Sequence, residues 1–203
     1  MTISTYAELQ TSVASWLDVT SADLSSTIAD LITVAETRIF REARTKDMET
    51  VLNAAIASGV LPLPAGYIEL KFAYIDGSPV THLERRSPEW IYGSYTQRSG
   101  SGTPNFIARE ATNFIFGPYP DSAYTVKGVY YKNIGPLSSA VHALFTNNPD
   151  LYLFACLAES IIVIGNDSRI ALWETKYQKI LADVNGMDKR ENSSGSGLRM
   201  RIA

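Results

Sequence analysis

The sequence has little of what metal and redox sites require. It contains one cysteine and two histidines in 203 residues. Cys156 alone cannot form a disulfide or a cysteine zinc site within the chain, and its apolar neighbours predict a buried, reduced thiol. His82 and His142 lie far apart in the sequence and match no metal-ligand spacing. We therefore expect no metal and no cofactor.

Charge and hydropathy argue against two further classes of protein. The 18 basic and 21 acidic residues give a net charge of −3, which predicts no basic field for a nucleic-acid backbone. The longest apolar stretch, Leu151 to Ile164, is shorter than the roughly 20 residues that span a bilayer, and it contains Glu159. The opening residues MTISTYAELQ lack the features of a secretory signal. We expect the chain to remain in the cytoplasm where it is made.

Catalytic motifs are also scarce. The sequence contains no GxGxxG, GxxxxGK[ST] or GxSxG pattern. Four acidic residues could supply the carboxylate pair of a glycoside hydrolase: Glu69, Asp76, Glu84 and Glu89. Acidic residues at strand ends are usually only solvated, so we predict that the chain is not an enzyme.

Helical patterns occupy both ends of the chain. The capping box TYAE predicts a helix that begins after Thr5. A second helix has apolar residues along one face from Leu24 to Ile39 and places Glu36 away from that face. The N-cap Asn148 and the following proline predict a third helix through the apolar stretch. A fourth helix is predicted after Gly165, with the apolar positions Ile170, Trp173, Tyr177, Ile180, Leu181 and Val184.

The middle of the chain has the two-residue periodicity of strands. Asp76-Gly77 is suited to a tight hairpin turn, and a second hairpin is predicted around residues 110–113. QRSGSGTP predicts a flexible loop. Four tyrosines of the last strands are interpreted as core or interface residues: Tyr119, Tyr124, Tyr130 and Tyr131.

These patterns together predict an α+β fold. We expect a four-helix bundle from residues 1–47 and 136–186, an inserted antiparallel β module at 48–135, and a flexible C-terminal tail at 187–203. The tail loses periodicity, gains glycine and serine, and carries four basic against two acidic residues. Its candidate docking residues are Lys189, Arg190, Leu198, Arg199, Met200, Arg201 and Ile202.

Three segments carry a resemblance to a known family: LPLPAGYIEL, GPYPDSAYTVKGVYY, and NPDLYL followed by DSRIALWETKY. In their order along nearly the whole chain they resemble the adaptor, or head-to-tail connector, proteins of short-tailed bacteriophages. The resemblance implies a virion protein of the neck and tail, present in the host cytoplasm during assembly. It implies a homo-oligomeric ring of about twelve copies that connects the portal protein to the tail nozzle. DNA would pass through its channel without sequence-specific binding.

The resemblance also suggests roles for two parts of the chain. The apolar helix must be covered on every side, and its packing residues are Leu151, Phe154, Leu157, Ile161 and Ile164. One face would pack on its own bundle and the other against a neighbouring subunit or the β module, with burial entirely within the chain as the alternative. The tail would dock on the portal, with a frayed terminus as the alternative. A tail-associated cell-wall hydrolase and a non-viral scaffold or binding module are the alternative functions.

Overall fold

A computed structural model of the protein describes residues 3–18, 25–96, 100–165 and 167–194. The chain divides into two compact units, one formed by Met1–Met48 with Ile134–Ala203 and the other by Glu49–Asn133. The first is helical and is called the helical unit. The second is built mainly of strands and is called the β unit. Because one unit is helical and the other is built mainly of strands, the fold belongs to the α+β class.

The helices and strands are numbered in chain order. The α-helices are α1 (Tyr6–Leu17), α2 (Ser25–Glu42), α3 (Pro88–Ser94), α4 (Ala143–Asn147), α5 (Pro149–Ala158), α6 (Ile161–Ile164) and α7 (Arg169–Ser194), and a 3-10 turn covers Lys46–Met48. The strands are β1 (Glu49–Ala55), β2 (Val60–Pro62), β3 (Tyr67–Ile75), β4 (Thr81–His82), β5 (Glu84–Arg85), β6 (Ser101–Gly102), β7 (Phe106–Glu110), β8 (Asn113–Gly117), β9 (Tyr119–Pro120) and β10 (Thr125–Lys132).

Helix α1 begins at the predicted capping box. The hydroxyl of Thr5 accepts a hydrogen bond from the N–H of Glu8 (3.2 Å), and the Glu8 carboxylate accepts one from the N–H of Thr5 (3.1 Å). This exchange satisfies two main-chain donors that the first turn leaves unpaired. The helix ends at Asp18, which adopts a left-handed conformation (φ 55°). The prediction of this helix start is therefore confirmed.

Helix α5 lies at the centre of the helical unit. It packs against α1, α2, α4 and α7. Its residues are buried on every side, namely Leu151, Tyr152, Leu153, Ala155, Cys156, Leu157 and Ala158. Helices of the same chain therefore cover most of the surface of α5, which accounts for its nearly continuous apolar sequence.

The predicted four-helix bundle is wrong. Among the described residues the helical unit contains six α-helices of unequal length, and four of them surround the short α5. The stretch from Leu151 to Ile164 is not one helix, because α5 ends at Ala158. The buried Ser160 hydroxyl donates to the carbonyl of Leu157 (2.6 Å), which satisfies an acceptor at the helix end and allows the chain to turn into α6.

The segment predicted as the C-terminal tail overlaps the end of α7. Helix α7 continues to Ser194, so residues 187–194 are helical. Met187, Lys189, Arg190 and Glu191 are good helix formers, and no glycine or proline interrupts the run from 187 to 194. Lys189 and Arg190 thus lie in α7. The other five candidate docking residues, Leu198, Arg199, Met200, Arg201 and Ile202, lie outside the described residues.

The β unit contains two packed four-stranded sheets and a small two-stranded sheet of β6 and β9. The first has the order β1-β10-β3-β4 and the second the order β2-β8-β7-β5. Their inner faces share one core, which includes Leu52, Leu70, Phe114 and Val126. The first sheet is antiparallel as predicted, whereas β5 pairs with β7 in parallel, so the second sheet is mixed.

Two further features of the β unit are the helix that packs on its second sheet and the connection between β3 and β4. Helix α3 packs on the outer face of the second sheet, where Ile91 meets Ala108 and Ile115. The prediction of a tight turn at Asp76-Gly77 is wrong, because the connection between β3 and β4 takes up residues 76–80. The N–H of Asp76 still donates to Thr125 of β10 (2.9 Å), so pairing with β10 continues through Asp76 before the chain turns.

Candidate functional site

The four acidic candidates for catalysis are each engaged separately. Glu89 lies in the first turn of α3, where its own main-chain amide and the Ser87 side chain hold its pKa below the usual range. Opposite charges sit beside the other three: Glu69 lies 3.6 Å from Arg85, Asp76 lies 2.7 Å from Lys127, and Glu84 lies 2.7 Å from Arg86. None of these contacts brings two of the four carboxylates together, as a glycosidase requires.

The histidines and the cysteine lie apart from one another, and each contacts its own neighbours. His142 is half-buried between the rings of Phe40 and Tyr152, and burial lowers its pKa. Cys156 is fully buried, and burial raises the pKa of its thiol, so the unreactive protonated form is favoured. His82 contacts the ring of Tyr74. Within the part of the chain that the structure describes, no group of three potential ligands could hold a metal ion.

Glu36 is buried, although the sequence predicted that it would point away from the packed face. Glu36 is 4% exposed, and its carboxylate accepts a hydrogen bond from the N–H of Leu137 (2.7 Å). Burial raises the pKa of this carboxyl group. Residues after β10 return to the helical unit at Leu137 and cover this side of α2. The periodicity of α2 alone carries no signal of that covering segment.

Arg38 joins three helical segments through its guanidinium group. Its Nη1 donates to Glu159, at the end of α5, and to Glu174 of α7, both at 2.8 Å. The guanidinium also lies 4.4 Å from the ring centre of Tyr177. The Tyr177 hydroxyl in turn donates to Glu42 (2.8 Å). Acidic side chains that could have marked a binding site are therefore used to hold α2, α5 and α7 together.

The outer face of the first sheet in the β unit is exposed and carries apolar side chains beside Asn53 and Lys127. Val51 is 73% exposed and Phe72 is 46% exposed. With Tyr74 and Val129 they line a shallow groove of about 270 Å³. No described element of the β unit covers this face, in contrast to the second sheet, which α3 covers. Exposed apolar faces of this kind are typical of surfaces that assemble.

A polar cleft of about 270 Å³ lies in the helical unit, where α7 passes the segments that follow α2 and α4. Its lining comprises Thr45, Lys46, Asp47, Asn147, Asn148, Val184 and Met187. The sequence indicated Asn148 only as a helix cap. The structure gives it another contact, because its amide donates to the carbonyl of Leu144 (3.2 Å) and its side chain does not cap α5.

The predicted packing residues of the apolar stretch differ in exposure. Leu151 and Leu157 are completely buried, whereas Ile161 of α6 is 55% exposed. Phe154 is half-buried and meets the edge of Trp16, with 6.1 Å between ring centres. Ile164 is also half-buried. The end of the stretch therefore reaches the surface, while its beginning lies in the core.

Comparison with known proteins shows which family the chain belongs to. Among the described residues, no helix has the length and hydropathy required to cross a membrane. A search of curated proteins finds no match. The family model described as SU10 adaptor protein matches residues 4–201, which include both units. The chain therefore belongs to the SU10 adaptor protein family, and the phage adaptor resemblance noted in its sequence is confirmed.

Proposed function

We propose that this protein forms a ring of about twelve copies in the neck of a phage virion, between the portal protein and the tail nozzle. Viral DNA would pass through the channel of this ring without sequence-specific contacts. The observation that carries the proposal is the family match from residue 4 to residue 201, which spans the helical unit and the β unit alike.

Exposed apolar side chains on both units support an assembly role. Subunits of a closed ring need two different contact surfaces, and permanent interfaces are apolar. Val51 and Phe72 offer such a surface on the β unit, and Trp16 and Ile161 are exposed on the helical unit. Because α5 is already covered within the chain, subunit contacts would use these exposed residues and not its buried core.

The C-terminal segment would dock on the portal. Arg199 and Arg201 alternate with Leu198, Met200 and Ile202. A segment with this pattern can become ordered on a complementary surface, with its arginines paired to carboxylates and its apolar side chains in a groove. No observation favours the cell-wall hydrolase, since each of its candidate carboxylates has a separate partner.

Sedimentation velocity of the protein, alone and mixed with purified portal, tests the proposal. We expect a monomer or weak association for the protein alone, because premature rings would compete with assembly. With the portal we expect a larger complex, in which electron microscopy resolves a ring of added density at the tail-facing end. Absence of association at micromolar concentrations would contradict the connector function.

A further inference from the structure

Strand β1 is an edge of the first sheet, with β10 as its neighbour on one side only. Just after the strand, the N–H of Ile56 donates to the carbonyl of Tyr124 (2.8 Å), on the side of β10. Hydrogen-bonded pairs alternate along an antiparallel ladder, so the even-numbered residues of β1 bond to β10. The odd-numbered residues direct their N–H and C=O groups away from the sheet. These residues are Glu49, Val51, Asn53 and Ala55.

This outward main chain is open to a further strand. Among the described residues, no hydrogen bond outside the ladder with β10 reaches these main-chain groups. The side chains of Val51 and Asn53 are exposed beside them on the outer face of the sheet. Unpaired N–H and C=O groups in a row are a template for another extended chain.

The other long-sheet edges are protected, whereas β1 is not. Folded proteins block sheet edges with very short strands, proline, lysine or bulges. Strand β2 has three residues and ends in Pro62, while β4 and β5 have two residues each. Strand β1 has seven residues without proline or lysine, and its register with β10 continues without a shift from Glu49 to Ala55. The described β unit therefore has one long edge that can accept a partner strand.

The sequence of β1 is complementary to a second copy of itself. An antiparallel pair with its two-fold axis at Leu52 places Val51 of each copy opposite Asn53 of the other, and Glu49 opposite Ala55. Every outward residue then faces an outward residue, so each N–H meets a carbonyl. Glu49 is the only charged residue of the strand, and in this register it meets a methyl group and no like charge.

Exposed apolar surface also favours this pair. Val51 is 73% exposed. In the same register the two Val51 side chains lie diagonally across the axis on one face of the joined sheet, close enough to interact. Pairing of the two strands therefore removes part of this apolar surface from water as it satisfies the main chain.

We propose that two copies of the free protein pair through β1 and join their first sheets into one continuous antiparallel sheet. A two-fold contact of this kind closes with two copies and does not grow into a ring. Subunits related by a single ring axis do not share two-fold contacts, so the pair is a state of the protein before assembly. The inference goes beyond the proposed function and does not require the portal.

Charged variants of Val51 test the strand and the identity of its partner. Sedimentation equilibrium of the full-length wild type should show a concentration-dependent pair. Val51→Glu and Val51→Lys should each associate about 10-fold more weakly, because like charges then lie across the axis. An equal mixture of the two variants should recover the association, since opposite charges meet. Val51→Thr keeps the β-branched shape and should remain within about twofold of the wild type.

A second pair of variants separates edge pairing from packing of the sheet faces. Asn53→Pro removes an N–H that points away from β10, a position where proline is tolerated in an edge strand. It should weaken association about 10-fold, because one hydrogen bond is lost from each copy. Phe72→Ser removes an exposed apolar side chain of the same face, but from the interior strand β3, and should remain within about twofold. Melting temperatures of all variants check that the fold is retained.

Each alternative outcome is distinct. A wild type that stays monomeric at high micromolar concentrations would overturn the inference. Association that is lost in Phe72→Ser but kept in Asn53→Pro would show packing of the faces and not of the edges. A mixture of Val51→Glu and Val51→Lys that does not associate would contradict the two-fold arrangement. Portal binding is measured separately, so a protein that pairs but does not bind portal contradicts only the proposed function.

Discussion

The carboxylate of Glu36 accepts a hydrogen bond from the main-chain N–H of Leu137, 2.7 Å away and 101 positions later in the sequence. This bond ties α2 to the segment that leads back from the β unit into the helical unit. Glu36→Met should leave that N–H unpaired and lower the free energy of unfolding by about 1–3 kcal/mol. Glu36→Gln keeps an acceptor and should be at least as stable as the wild type at neutral pH. Urea unfolding measures both.

The buried carboxyl group of Glu36 predicts how the free energy of unfolding depends on pH. Burial raises the pKa of Glu36 in the folded state above its ordinary value of 4.5. A group whose folded pKa is raised stabilises the fold most below its unfolded pKa, and this contribution is lost as pH rises through the folded pKa. The stability of the wild type relative to Glu36→Gln should therefore decrease from pH 4 toward neutrality. A constant difference would contradict a buried, titrating Glu36.

Arg38 is expected to be a major contributor to stability in the helical unit. Its side chain is 16% exposed, and it pairs with Glu159 and Glu174. Arg38→Met should lower the free energy of unfolding by about 1–3 kcal/mol, a value between those of exposed and buried ion pairs. The matched variant Arg41→Met removes one hydrogen bond to the Thr37 carbonyl and should change stability by less than about 0.5 kcal/mol.

The pairing of Arg38 with Glu174 also predicts part of the loss of stability at low pH. Its hydrogen bond holds the pKa of Glu174 below the ordinary 4.5. A lowered folded pKa gives stability that is present above the unfolded pKa and is lost as pH falls through the folded pKa. Unfolding free energies measured from pH 6 to pH 3 should therefore fall less steeply in Arg38→Met than in the wild type. Equal slopes would show that this pair is not linked to folding.

Gly128 of β10 has no room for a side chain. A Cβ atom there would lie 2.2 Å from the carbonyl oxygen of Phe72 and 2.8 Å from the Cα of Ala73 on β3. Gly128→Ala should separate the two central strands and destabilise the β unit by about 3 kcal/mol. Gly93→Ala is the control, since nothing lies within 4 Å of its added Cβ and alanine favours the helix α3. Thermal unfolding followed by circular dichroism distinguishes the two.

Truncation tests the docking tail. Since α7 continues to Ser194 and Met187 lines the cleft, the informative variant ends at Ser194 and removes only residues 195–203. It should keep the helix content and melting temperature of the full chain but bind portal more weakly. In the full-length chain, Arg199→Gln with Arg201→Gln should reproduce most of the loss and weaken its salt dependence. Undiminished binding by the truncated protein would indicate a frayed terminus.

Local structure followed closely from local sequence. The capping box at Thr5 and Glu8 and the hairpin formed by β7 and β8 both lie where short patterns predicted them. Such elements depend on hydrogen bonds and side-chain contacts within a few residues, so their signals are present in the sequence itself. The three segments that resembled the adaptor family likewise predicted the family of the chain.

The arrangement of these elements depended on contacts between distant residues. The sequence pattern predicts Glu36 away from the apolar stripe of α2, but only the tertiary structure brings Leu137 against it. The apolar stretch indicated one long helix, whereas α5 ends at Ala158 and four surrounding helices bury it. The polar cleft joins residues 45–47, 147–148 and 184–187, whose individual patterns predict nothing in common. The sequence alone determined elements such as the start of α1 and the hairpin of β7 and β8, because the interactions that form them are local. Which faces are buried, and which polar groups meet, was decided by the packing of segments far apart in the chain.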